Sequence, residues 1–428
     1  MVDRRCVDLV VHGTAELATL AGPARPHRGQ EMADIGLVPR GAVAVHDGRV
    51  VETGPSPEIL ARYRGKTTID AREGTVLPGF VDPHTHLVFG GTRQDEFVLR
   101  CQGVPYMEIA RKGGGIRASV RQLRGRSEEE LLELTLGRLR GILAAGTTTV
   151  EAKSGYGLSV ESELKSLRVI RAAGQRQPLT VVPTFLGAHE VPDEHRENRE
   201  EYVRIVTDEM IPRVVEEGLA EFCDVFCEEG VFSVEESRRI LLAGRDAGLS
   251  PKLHAEEFEP IGGARLAAEV GAVSADHLVA IDEEGMDAMA EAGVIPVCLP
   301  GTSFFLHLPR HAPARRMIEK GMPVALATDF NPGSSMTHSM PMILTLACVN
   351  LGLSPAEAIT AATVNAAWAI SRGHEVGSLE PGKKADLVVW PVPDHRFLAY
   401  HFGSARAQVV VKEGRIVFEA EAEGEEAS

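Results

Sequence analysis

The chain has 428 residues, of which 44% are hydrophobic and 25% charged, with 43 Gly and 25 Pro. This is ordinary globular composition; it excludes a fibrous or wholly disordered protein, and the length suits one large domain plus a smaller one. Lys and Arg number 45 against 61 Asp and Glu, a net charge of −16, which argues against binding a nucleic acid backbone or an anionic membrane.

The first seventy or so residues read as short strands joined by turns. VDLVVH (7–12) is apolar and β-branched, and GAVAVHDGRVVETG (41–54) reads as two strands around Asp47-Gly48, a hairpin signal. The N-terminal MVDRRCVDLVVHG carries Asp3 and Asp8 inside any apolar run and lacks a signal-peptide layout, so a cytoplasmic location is expected. No stretch approaches the roughly 18–20 uninterrupted apolar residues of a membrane span.

The middle of the chain alternates apolar runs with helical stretches. Eight strands are predicted, at 75–86, 147–154, 179–189, 222–228, 251–256, 272–278, 294–300 and 323–329. Amphipathic helices lie between several of them. In 127–146, Ser127 and Glu130 form a capping box, Leu132, Leu136, Leu139 and Leu143 share one face, and Gly146 suits the exit. Eight strands alternating with helices predict an α/β fold, a (β/α)8 barrel of the TIM type. An open doubly wound sheet competes, but no G-x-G-x-x-G follows a strand.

The tail returns to short strands, ADLVVWPV (385–392) and AQVVVKEGRIVFEA (407–420), with Glu413-Gly414 at a turn. Neither terminal piece makes a stable sheet alone. Residues 1–74 and 377–420 are therefore expected to form one composite β domain, a small β-sandwich, beside a barrel of residues 75–376, with 421–428 frayed. The six cysteines, at 6, 101, 223, 227, 298 and 348, include no C-x-x-C pair and are expected to be reduced and buried.

A barrel of this kind works at the C-terminal ends of its strands. The first strand ends in Asp82-Pro83-His84-Thr85-His86, the fifth in His254-Ala255-Glu256-Glu257, the sixth in Asp276-His277 and the eighth in Thr328-Asp329. Residues two apart in an extended segment face the same side, so both imidazoles of His84 and His86 can reach one ion. With His254 and Asp329 they offer three nitrogens and a carboxylate, a set suited to Zn²⁺ or to an iron or manganese ion. Each element alone has a plainer reading, as a packed histidine pair, a helix start or a turn. Their joint occurrence at strand ends has no simple packing explanation.

PGFVDPHTH, followed by HAEE, SADHL and LATD, resembles the amidohydrolase superfamily of metal-dependent barrel hydrolases. The resemblance covers nearly the whole chain. FGGTRQDEF (89–97), GGGI (113–116), EAKSGYGL (151–158), TFLGAHEVP (184–192) and TDFNPGSS (328–335) look like the imidazolonepropionase branch of that superfamily. That branch hydrolyses 4-imidazolone-5-propanoate to N-formimidoyl-L-glutamate in histidine degradation. Many binuclear relatives carry a carboxylated lysine on the fourth strand. FCDVFCEEG has none, so the resemblance implies one metal ion, zinc or iron.

It also implies roles. His84, His86, His254 and Asp329 would hold the metal, and Asp329 could take a proton from its water. His277 would orient water or the carbonyl oxygen, and Glu257 would carry a proton to the ring nitrogens. Glu256 faces elsewhere and reads as structural. Substrate contact falls to Arg93, Tyr156, His189, Glu257, Asn331, Gly333 and Ser334. An anionic propanoate on an acidic protein needs a basic partner, and the planar fork of Arg93 can bind it with two parallel hydrogen bonds. Tyr106 is a weaker candidate, and Gly113 to Gly115 could form a flap. The remaining histidines read as loop or β-domain residues, His338 as a helix-start residue near the mouth. The small anionic substrate and a homodimer are the expected partners, with no nucleic acid and no membrane. A deaminase of the same superfamily would share the metal set but not the need for a cationic clamp, and a non-catalytic relative would be expected to lack part of it.

Overall fold

The computed structural model describes residues 4–104, 108 and 113–421. Tyr106 and the segment 422–428 lie outside the described residues. Eight parallel strands form one sheet: β1 (Phe80–Asp82), β2 (Thr147–Lys153), β3 (Thr180–Ala188), β4 (Phe222–Cys227), β5 (Ser250–Ala255), β6 (Ser274–His277), β7 (Ile295–Cys298) and β8 (Ala325–Leu326). Their order in the sheet is their order in the chain, and helices alternate with them. This is the expected (β/α)8 barrel.

The helix Glu128–Ala144 shows how the local signals act. Ser127 accepts from the Glu130 amide at 3.2 Å while the Glu130 carboxylate accepts from the Ser127 amide at 2.9 Å. Leu132, Leu136, Leu139 and Leu143 are all buried, each worth about 1.5–3 kcal/mol of burial.

Closure between β1 and β8 does not come from a ladder. β8 has two residues, too few for a continuous pairing. The side chain of Asp82 bridges instead, accepting from the Thr328 amide at 3.0 Å and its hydroxyl at 2.5 Å. The chain beyond the strands then pairs: Asp329 N donates to His84 O at 3.1 Å and His86 N to Phe330 O at 3.0 Å. The seam of the barrel thus joins the two segments that carry His84, His86 and Asp329.

Two further sheets come from the chain ends. One has four strands, Arg5–His12, Gly41–His46, Arg49–Pro55 and Tyr63–Asp70. The other has six and mixes both ends: Glu16–Ala18, Leu37–Pro39 and Thr75–Pro78 with Leu387–Trp390, Val409–Lys412 and Arg415–Glu419. Leu9, Val11, Val43 and Val45 of the first pack with Val76, Leu387, Val389 and Val411 of the second in one apolar cluster. Both predicted turns have left-handed backbone at both central residues, φ +49° and +73° at Asp47-Gly48 and +46° and +74° at Glu413-Gly414, as a two-residue hairpin requires. The turns also touch, because Gly48 and Gly414 approach without side chains between them.

The run 75–86, read from sequence as one strand, divides in the structure. Thr75–Pro78 pairs with Leu387–Trp390 in the terminal sheet, and only Phe80–Asp82 enters the barrel. The cysteines also differ from expectation: Cys223, Cys227 and Cys298 are buried, but Cys6 and Cys101 are exposed. Among the described residues no helix is long and apolar enough to cross a membrane.

Gly146 ends the Glu128–Ala144 helix with φ +89°, and a Cβ there would lie 2.6 Å from the buried Trp390 ring of the terminal sheet. Gly146→Ala should therefore destabilise the protein by about 2–4 kcal/mol through strain and overpacking. A lower urea midpoint at unchanged slope would report this; an unchanged midpoint would contradict the close approach.

Candidate active site

The side chains at the barrel mouth follow from strand periodicity. Alternate residues of a strand face inward, so His84 and His86 emerge together beyond β1, and His254, His277 and Asp329 arrive from β5, β6 and the end of β8. The Nε2 atoms of His84 and His86 are 3.3 Å apart, and Asp329 Oδ1 is 3.5 Å from each. His254 stands against them, its ring 4.5 Å from that of His84 and 5.5 Å from that of His86. The four residues are at most 2% exposed. His277 and Asp329 hold left-handed φ of +76° and +51°, a strain that non-glycine residues adopt where surrounding structure imposes it.

Acceptors dominate this cluster. His84 Nδ1 pairs with Asp276 Oδ2 at 2.6 Å and His254 Nδ1 with Asp224 Oδ1 at 3.1 Å, which turns each Nε2 toward the cluster. His254 Nε2 is buried without a partner. Burial holds His84, His86 and His277 well below the usual imidazole range, with neighbouring positive charge adding to the effect. They are therefore neutral donors of electron pairs. Burial also pushes the Asp329 carboxyl up to about 6, against the hydrogen bond from Thr302 Oγ1 at 2.5 Å. Converging lone pairs and a carboxylate fit a divalent cation, and His84, His86 and Asp329 form a group close enough to hold one.

Beneath the imidazoles lies a layer of buried charge from alternate positions of β2, β4, β5 and β6. Lys153 Nζ is 2.7 Å from Asp224, 3.0 Å from Glu151 and 3.4 Å from Asp276. Lys252 Nζ is 3.0 Å from Glu151. Burial opposes the charge on Lys153, but Asp224, Glu151 and Asp276 outweigh it and raise its pKa. Burial likewise works to raise Asp224, but His254 and Lys153 bring it below the usual carboxylate range. Asp276 stays above that range, because burial and the charges of Asp224 and Glu151 exceed the help of the two lysines.

Above the cluster opens a cavity of about 1370 Å³. Every sequence-predicted site residue except His84, which lies below the floor, lines it: His86, His254, Asp329, Glu257, His277, Arg93, Tyr156, His189, Asn331, Gly333 and Ser334. Glu257 Oε2 is 3.6 Å from His277 Nε2, and burial, then Asp329 and Glu228, hold its pKa well above the usual value. Glu256 has left-handed φ and turns away, accepting from the Gly262 and Ala264 amides, a structural part as read from sequence. His189 Nδ1 donates to Gly155 O at 3.0 Å and its ring stacks on His86 at 4.9 Å; burial lowers its pKa to about 3.

Arg93 sits on the cavity wall, its Nε and Nη2 on Glu96 Oε2 at 3.0 and 2.7 Å. Glu96 also accepts from the Gly115 amide at 3.1 Å, which ties the glycine run to the arginine. Gly333 makes room for the guanidinium: a Cβ there would fall 2.1 Å from Arg93 Nη1. The amide of Asn331 builds its own loop, donating to Asp329 O and Ser334 Oγ and accepting from the Gly333 and Ser334 amides. Asn331 and Gly333 thus have clear work in the loop itself.

Sequence reading gave no role to Asp224, Asp276, Lys153, Lys252, Glu151, Thr302 or Glu163. Glu163 accepts from the Gly155, Gly157 and Leu158 amides at 3.0, 2.7 and 2.8 Å, fixing the loop that presents Tyr156. Arg100, a second guanidinium on the wall, lies over the Phe305 ring at 4.8 Å. His307, read as a plain loop histidine, also lines the cavity.

The profile of the amidohydrolase family matches residues 75–417. The imidazolonepropionase of Symbiobacterium thermophilum is 54% identical over 417 residues, 96% of this chain and 98% of that protein. That of Geobacillus kaustophilus is 52% identical over 96% and 97% of the two chains. Among solved structures, E. coli guanine deaminase superposes with a TM-score of 0.72 at 16% identity, covering 96% of this chain and 99% of that one. A zinc-bound adenosine deaminase from Xanthomonas campestris gives 0.69 at 20% identity, over 97% and 93%. The deaminases share the fold; the identity over the whole length lies elsewhere. The chain belongs to the amidohydrolase family and, within it, to the imidazolonepropionases.

Proposed function

We infer that the protein hydrolyses 4-imidazolone-5-propanoate to N-formimidoyl-L-glutamate, a step of histidine degradation. The observation that carries this reading is about half identity to imidazolonepropionases along nearly the whole chain, and the barrel mouth supplies groups for the chemistry. His84, His86, His254 and Asp329 would hold one zinc or iron ion, which when bound polarises the ring carbonyl and acidifies water.

The rest is work for the chain's own side chains. Water adds to the ring carbonyl carbon, the bond from that carbon to the ring nitrogen breaks, and the nitrogen leaves as the imine of the formimidoyl group. Asp329 accepts a proton from the attacking water. Glu257, kept protonated or readily reprotonated by its burial, passes a proton to the departing nitrogen. His277, 3.6 Å from Glu257, steadies the carbonyl oxygen as charge grows on it. Arg93 takes the propanoate carboxylate, with Tyr156 and Ser334 as hydroxyl donors beside it. His189 stacks against His86 and faces the ring. Asn331 and Gly333 contact the substrate as well as shaping the loop in which Ser334 sits. A homodimer in the cytoplasm completes the proposal, its mass in solution being the test of the first part.

The direct assay follows loss of imidazolone absorbance with purified protein, with and without a chelator. Turnover that stops with chelation and returns with zinc or ferrous ion is expected; substrate that persists with fully metallated protein would reject the assignment. Arg93→Ala should lower kcat/KM by about 100-fold, from two lost charge-assisted hydrogen bonds, with metal content unchanged. An unchanged efficiency would remove the clamp. Glu257→Gln should lower kcat by about 10²–10⁴-fold, the usual worth of a proton-transfer group, with KM within a few-fold. Full activity in that variant would assign proton transfer elsewhere.

A further inference from the structure

The layer beneath the imidazoles holds more charge than ring opening requires. Glu151, Lys153, Asp224, Lys252 and Asp276 are each at most 1% exposed, and none lines the cavity. Branched apolar side chains are the usual filling of a barrel. Buried ion networks are often no more stabilising than an apolar replacement, so stability does not explain this one.

The contacts of the two lysines differ. Lys252 Nζ meets Glu151 at 3.0 Å and the carbonyls of Pro83 and Ala369 at 3.2 and 3.4 Å. Lys153 Nζ also meets Glu151, at 3.0 Å, but adds Asp224 Oδ2 at 2.7 Å and Asp276 Oδ2 at 3.4 Å. Asp224 holds His254 through its other oxygen at 3.1 Å, and Asp276 Oδ2 holds His84 at 2.6 Å. One ammonium on β2 therefore joins two aspartate–histidine pairs whose members come from β4, β5, β6 and the end of β1.

We propose that Lys153 is a positioning residue that, by bridging Asp224 and Asp276, sets the rings of His254 and His84 and with them the affinity of the site for its cation. The inference rests on the ligand set given above. Without the ammonium the two buried aspartates lose the cation they share and repel more strongly, and the imidazoles they steer lose their common orientation. Outer partners of metal-ligating histidines are worth about 10–100-fold in metal affinity. A residue that controls two such partners at once belongs at the upper end of that range.

The test is a zinc affinity measured by competition with a chromophoric chelator, paired with the visible spectrum of the cobalt(II)-substituted protein. Lys153→Met should weaken zinc by about 10–100-fold and shift the cobalt bands, while Lys252→Met stays within a few-fold of the parent. Asp276→Asn should weaken zinc too, and the double variant should lose much less than the product of the single losses, because both changes break one link. Unchanged affinity and spectrum in Lys153→Met, or independent losses in the double variant, would overturn the proposal. Lys153→Gln repeats the test should Lys153→Met not fold; failure of both to fold would mark the lysine as structural and overturn it as well. A parent protein that takes up no zinc would remove the ligand set itself, whereas tight binding by parent and Lys153→Met alike would remove this proposal alone.

Discussion

Two imidazole nitrogens face each other at 3.3 Å, a carboxylate oxygen sits 3.5 Å from both, and a third imidazole presents a nitrogen with no partner. Their opposite ring nitrogens, where the structure fixes them, are already committed to aspartates. Electron pairs gathered this closely among buried side chains are costly unless a cation answers them. Much of the barrel can be understood from that constraint. The groups must be held by several strands, since no single segment brings three imidazoles and an acid to one point. The seam between β1 and β8 must be tight, since three of the four lie along it.

The seam shows how the constraint is met. β8 is short, so Asp82 replaces missing ladder bonds with its own carboxylate, and the backbones carrying His84, His86 and Asp329 lock to one another. Behind them the strands contribute fixed charge rather than apolar filling, and the aspartates there hold two of the imidazoles by their far nitrogens. In front, rigidity comes from single carboxylates that gather backbone amides. Glu163 does this for the loop of Tyr156, and Glu228 for the turn after Glu257, accepting from the Phe258 and Glu259 amides at 3.0 and 3.1 Å. Both loops are thereby mounted on the same barrel rim.

Much of this was legible in the sequence because it was local. H-x-H, HAEE, SADHL and LATD each place a chemically distinctive residue at the end of an apolar run, and strand geometry turns that into a shared mouth. Asp-Gly and Glu-Gly announced two hairpins, and Ser127 with Glu130 announced a helix start. What stayed hidden was pairing between distant segments. Nothing near Lys153 names Asp224 or Asp276, and Glu163 looks like one more helix-face acid. The available signal was alternation: TVEAK, CDVF, PKLHA and SADH each put a charged residue at inward positions of an otherwise apolar strand. The division of 75–86 was hidden for a related reason, because both halves read as strand and only their partners differ. Asn331 and Gly333 also carry structural work that their positions did not announce, one bracing its own loop and the other leaving room for an arginine.

The central claim is that His84, His86, His254 and Asp329 grip one ion. Anomalous diffraction from crystals of the metallated protein, recorded at the metal's absorption edge, tests it most directly. A single peak is expected about 2.0–2.2 Å from one nitrogen of each of the three histidines and from an Asp329 oxygen. A peak that Asp329 does not reach, or a metal bound elsewhere while these four side chains remain unligated, would contradict it.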